Sequence, residues 1–127
     1  EPGVVVVTLV LARTTEILRG AFFPDKCGFI LLDAERRLLR HARSFHPRRS
    51  PDELLPIAVG TGVVGRVAAS REALRLDDTS ADPRYVALHP GMRSEICVPL
   101  EVGHRLLGVC DAESSREAAF GEAERLP

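Results

Sequence analysis

Apolar residues dominate Val4 to Ala12 and then recur among polar ones as far as Ala21. Valine favours strands, but the run is long, and Thr14 to Arg19 holds good helix formers. The pattern predicts a helix ending at Gly20, ahead of Pro24. The unbroken apolar stretch Cys27 to Asp33 predicts a short buried strand. Ala34 to Arg37 is then a turn, and Leu38 to Phe45 the second strand of a hairpin. His46 to Asp52, with Pro47 and Pro51, reads as loop. Ile57 to Val59 leads into Gly60, and Val63 to Ser70 predicts a short helix. Ala73 to Asp77 is a strand, and Asp78 to Pro90 a polar loop with room for one helical turn. Ser94 to Val102 and Arg105 to Glu113 flank Gly103-His104 as a second hairpin. Ala118 to Leu126 is a closing helix stopped by Pro127. Hairpins toward both ends imply a mostly antiparallel sheet whose terminal helices cover one face, an α+β class.

Strand alternation sorts the side chains of the second hairpin. Ile96, Val98 and Leu100 share one face, expected beneath the helices. Glu95, Cys97 and Pro99 share the other. Asp111 and Glu113 fall on one face with Leu107 and Val109. Gly60 to Gly65 reads GTGVVG, formally a dinucleotide-binding fingerprint, with Asp77 placed where a ribose-binding acid would sit. Such a unit needs about 30 residues and a helix that crosses the sheet. Val63 to Ser70 allows about two turns, and no alternating strand–helix series follows. The glycines therefore predict a tight loop before a short helix.

With 127 residues, 45% of them hydrophobic, the chain suits one core-bearing domain. Net charge is −1, which gives no general attraction to nucleic acid or anionic membrane. No apolar run approaches the roughly 20 residues of a membrane-spanning helix. Cys27, Cys97 and Cys110 are an odd set without zinc-site spacing, and no secretion signal accompanies them. That leads us to expect reduced thiols and a cytoplasmic setting. The missing initiator methionine leads us to expect a domain excised from a longer protein. Arg36, Arg37, Arg40, Arg43, Arg48 and Arg49 occur with no acid between them. An exposed hairpin edge protected by charge explains them; a contact for an anionic ligand or an acidic partner domain is the alternative.

From the glycine loop onward, four blocks resemble a bacterial GAF domain. They are the loop with its short helix, the DTSADPRYV segment, the RSEICVPL strand and the LLGVCDAES strand. AAFGEAERL looks like the start of that family's closing helix. The resemblance implies a PAS-related antiparallel sheet of about six strands. Terminal helices lie on one face, and a small-molecule pocket lies on the other, roofed by the crossover segments. It also implies a sensory or dimerising module of a sensor kinase, a cyclic-nucleotide enzyme or a transcription regulator.

Within the family, the chain is similar to free methionine-(R)-sulfoxide reductases, whose cysteines reduce a sulfoxide while acids hold the substrate amino group. Aligned without gaps, those cysteines fall at Leu54, Val64 and Leu88, and an aliphatic side chain cannot replace a thiolate nucleophile. The acids do match, at Glu95, Asp111 and Glu113. Cyclic-nucleotide and bilin signatures are absent, and His41, His46, His89 and His104 are scattered. The resemblance thus implies a non-catalytic regulatory domain with no cofactor. Its expected ligand-binding residues are Glu95, Asp111, Glu113, Cys97, Tyr85 and Arg84, and its ligand an unidentified small molecule. Arg84 and Arg93 are nearby cations able to offset the acids. A plainer account has Glu95 paired with Arg93 or Arg105, and Asp111 and Glu113 capping backbone at a strand end. Expected partners are a second copy through the terminal helices and an output domain, with neither nucleic acid nor membrane. The alternatives are a structural dimerisation module without ligand and, less favoured, a reductase-like enzyme.

Overall fold

The computed structural model describes residues 2–48, 55–87 and 90–121, with the side chains of 2–8 left aside. The described elements run α1 (Pro2–Phe22), β1 (Lys26–Asp33), β2 (Leu38–His41), β3 (Ile57–Ala58), α2 (Gly62–Ser70), β4 (Leu74–Leu76), a 3-10 turn (Thr79–Ala81), β5 (Ser94–Val102) and β6 (Arg105–Ser114). The strands form one six-stranded sheet in the order β3-β2-β1-β6-β5-β4. All its neighbours pair antiparallel. The α+β expectation holds.

The two faces bury different clusters. On one, Ile30, Leu39, Ile57, Leu76, Cys97 and Val109 meet Val63, Val64, Val67 and Ala68 of α2. Each aliphatic side chain fully buried there contributes about 1.5–3 kcal/mol. On the other, Cys27, Ala112 and Phe120 pack with Leu18 and Phe22 of α1 and with Ile96. The Phe22 and Phe120 rings lie 5.9 Å apart. Chain segments from both ends thus cover this second face. The predicted closing helix lies largely outside the described residues. Cover is incomplete toward Val98, which is exposed.

Three details differ from the pattern-based expectation. The second strand ends at His41 rather than Phe45. Phe45 N–H instead donates to Ala42 O (3.0 Å), and the chain turns back so that His46 bridges Cys27. Gly28 makes this possible, because a Cβ there would stand 2.7 Å from Phe45 Cα. Next, Ile57–Ala58 forms an edge strand on β2 where the sequence showed only an approach to Gly60. Finally, the register shifts between Leu100 and Glu101. Strict alternation no longer holds beyond that point, and Leu106, not Leu107, joins the α2-side core.

The GTGVVG loop is a packing device. Gly60 N–H donates to Gly65 O (2.8 Å), and Gly65 N–H to Thr61 O (2.9 Å). A Cβ on Gly65 would lie 2.6 Å from Ala58 O and 2.9 Å from Gly60 N, both backbone atoms that cannot step aside cheaply. Gly65→Ala is therefore expected to destabilise the domain by about 1–3 kcal/mol, read as a lower thermal midpoint. Gly121→Ala, where a Cβ meets nothing within 4 Å, serves as the neutral control. Equal midpoints for the two variants would contradict this packing role.

Candidate functional site

Strand pairing assembles an acidic cluster on the α2-side face. Glu95 of β5 stands opposite Glu113 of β6, and Cys97 stands opposite Asp111. β4 closes the far side, with Leu76 opposite Glu95 and Leu74 opposite Cys97. Glu95 is 2% exposed, and Asp111, Glu113 and Cys97 are 0%. Carboxylate oxygens of the three acids lie within 4.8 Å of one another.

Three carboxylates this close cannot all ionise without a compensating cation. Burial pushes Glu95 well above the usual carboxylate range, and the charges and hydrogen bond of Asp111 and the charge of Glu113 push it further. Burial and its neighbours thereby favour the protonated form of Glu95, with Asp111 as its hydrogen-bond partner. Its Oε2 has no hydrogen-bond partner among the described residues.

Tyr85 joins the cluster from the roof segment. Burial raises its phenol, and Glu113, Glu95 and Asp111 raise it further. Its Oη is buried without a hydrogen-bond partner among the described residues. Burial likewise drives the Cys97 thiol far above its ordinary range, with Asp111 and Glu95 adding to the effect. Cys97 is thus a protonated thiol rather than a nucleophile. Cys27 is raised to about 11 and Cys110 to about 12, in both cases chiefly by burial.

Arg84 is placed differently from the other five expected site residues. It is exposed and clamped to Asp82, with Nε–Oδ1 at 2.9 Å and Nη2–Oδ2 at 2.6 Å. That clamp holds the Asp82 carboxyl down at about 2. Arg93 pairs with Glu117 and, at 3.7 Å, with Asp78. Arg105 begins β6 at the opposite end from Glu113. Arg84 and Arg93 are thus engaged by Asp82, Asp78 and Glu117, and among the described residues no ion pair joins Glu95 to Arg93 or Arg105.

The open space beside Glu95 is about 20 Å³, lined also by Ile57, Thr61, Gly62, Val63, Val64 and Val86. That holds about one water or one compact cationic group. Three oxygen donors suit an ammonium, which carries three N–H donors, or a hard cation. Val86 of the roof packs on Gly62, where a Cβ would come within 3.2 Å. The contributions of Gly62 and Val86 were not anticipated; the loop glycines were the only hint. Val64 lines this space from α2. Leu54 and Leu88 lie outside the described residues.

A sheet with an α1-covered face, an α2-covered face and a roofed acidic recess defines a small α+β domain. The family profile for the GAF domain matches residues 7–126. The chain belongs to the GAF domain family. It is 29% identical over 114 residues to GAF domain-containing protein A of Dictyostelium discoideum, covering 90% of this chain and 69% of that protein. Among solved structures it resembles free methionine-R-sulfoxide reductase from Neisseria meningitidis in complex with its substrate. There the identity is 34% and the TM-score 0.79, over 92% of this chain and 68% of the other. It also resembles a putative GAF sensor protein from Burkholderia vietnamiensis, with 27% identity and TM-score 0.78 over 93% and 72% of the two chains.

The sign of the pH effect follows from Glu95. Its folded value lies above the ordinary 4.5, so the folded state holds the proton more tightly than the unfolded chain. The associated stability is fully present below the unfolded value and is lost as pH rises through the folded one. Glu95→Gln, neutral at every pH, is expected to flatten the fall in thermal midpoint above pH 5. Parallel curves for variant and parent would show that Glu95 titrates normally.

Proposed function

We propose that this GAF domain is a non-catalytic small-molecule-sensing module. On this reading residues 1–127 form one regulatory domain of a longer cytoplasmic signal-transduction protein. Its ligand carries a cationic group, an amine in the simplest case, that Glu95, Asp111 and Glu113 receive. The buried acidic cluster supports this most directly, because Glu95 Oε2 has no hydrogen-bond partner among the described residues and a bound cation would relieve the repulsion that Glu95 feels from its neighbours. With only about 20 Å³ open beside Glu95, anything larger than the cationic group needs the roof, Asp78 to Arg93, to lift. A ligand that favours one roof position over another shifts the population, which is the minimum requirement for signalling.

Three observations bear on the enzymatic alternative. The likeness to a solved sulfoxide reductase favours it. Val64, which is 1% exposed and stands where one reductase cysteine would fall, opposes it, as does the raised thiol of Cys97. The dimerisation reading draws on exposed Leu9, Val10 and Ile17 of α1. These residues fall within about a third of the helix circumference and could meet a second copy while the terminal segments carry the signal to an output domain.

Native mass spectrometry of the freshly purified domain, followed by denaturation, is expected to release a stoichiometric amine-bearing metabolite. Glu95→Gln with Asp111→Asn is expected to abolish the adduct. Methionine-R-sulfoxide with thioredoxin is expected to give no turnover. Measurable turnover would overturn the non-catalytic reading, and a ligand-free dimer would favour the dimerisation module.

A further inference from the structure

The arginine run of the first hairpin is divided by the fold. Arg36 pairs with Asp33 at 2.8 Å and is neutralised locally. Arg37, the next residue, takes φ 54° at the end of the β1–β2 turn and lines a groove of about 390 Å³. Leu32, Val59, Ala68 and Leu106 give the groove an apolar floor. Arg37, Arg71 and Arg105 give it a cationic rim, and no carboxylate lines it among the described residues. Arg71 is partly committed, donating to His104 O at 2.8 Å and lying 3.9 Å from Glu101. Arg37 and Arg105 have no carboxylate partner among the described residues.

This groove is separate from the acidic recess. Arg105 and Glu113 sit near opposite ends of β6, eight residues or roughly 25 Å apart. A larger groove of about 510 Å³ on the other side of α2 has Glu72 in its wall, and its Arg84 is held by Asp82. It offers less uncommitted positive charge.

We infer that the Arg37–Arg105 groove binds a phosphomonoester with an apolar body. A phosphomonoester carries about −1.5 to −2 at pH 7, which matches two uncommitted guanidiniums. The guanidinium fork donates two parallel N–H bonds to a pair of phosphate oxygens. The groove falls within the roughly 300–1,000 Å³ of small-molecule sites, and its floor suits an aromatic or aliphatic group. A monocarboxylate brings half the charge, and inorganic phosphate leaves the floor uncovered. The site is independent of the amine reading and would give the domain a second input.

Phenyl phosphate, inorganic phosphate and benzoate are the probes, titrated into the ¹⁵N-labelled domain. Phenyl phosphate is expected to shift the amides of Leu32, Val59, Ala68 and Leu106 saturably. The two simpler anions are expected to bind at least about fivefold more weakly. Arg37→Asn with Arg105→Gln is expected to weaken phenyl phosphate binding at least about tenfold; asparagine tolerates the positive φ at position 37. Arg105→Gln alone gives a smaller loss, and Arg36→Gln gives none. The inference is overturned by an absence of saturable shifts up to about 10 mM, by unchanged affinity in Arg105→Gln and the double variant, or by equal binding of benzoate.

Discussion

Three carboxyl groups with oxygens inside a 4.8 Å sphere, away from water, are the constraint on which the rest of this domain turns. Like charges at that separation in a medium of low polarity repel by several kcal/mol, so the cluster holds protons or a cation. Antiparallel pairing keeps it together by setting Glu95 across from Glu113 and Cys97 across from Asp111. Neither hairpin strand can turn its acids outward without turning Val109 and Cys97 out of the core as well. The acids are therefore retained at a cost in stability, a common feature of sites that bind something.

Around that cluster the fold acts as a holder. α2 seals one side with Val63, Val64 and Val67, brought close by Gly65 at the end of the glycine loop. The roof seals another through Tyr85 and Val86, and α1 occupies the opposite face of the sheet. The nearby arginines are held by Asp78, Asp82 and Glu117. Arg84 and Arg93 are thus taken up by these local acids.

Much of this was legible in the sequence because it rests on short-range regularities. The apolar run Cys27–Asp33, the hairpin around Gly103 and strand alternation were enough to place Glu95 and Cys97 together and Asp111 and Glu113 together. Matching the two pairs across strands took the family resemblance. What escaped depends on contacts between distant residues. Phe45 leaves its strand because Gly28 offers it space, and Leu106 replaces Leu107 because the register slips at Leu100. Arg84 was expected at the ligand as a nearby cation able to offset the acids. Asp82, two residues before it, fits its guanidinium better than the buried recess does. The basic groove was invisible for a related reason, since Arg37, Arg71 and Arg105 come from three separate segments.

The central claim is that the recess holds a proton when empty and gives it up to a cationic ligand. Carbon-detected NMR of the Asp and Glu side-chain carboxyls across a pH titration tests it most directly. The account predicts that the Glu95 carboxyl stays protonated at pH values where Asp33, held low by its pairing with Arg36, has ionised, and that it loses its proton when an amine ligand binds. Ordinary carboxylate titration of Glu95, unchanged by any ligand, would contradict it.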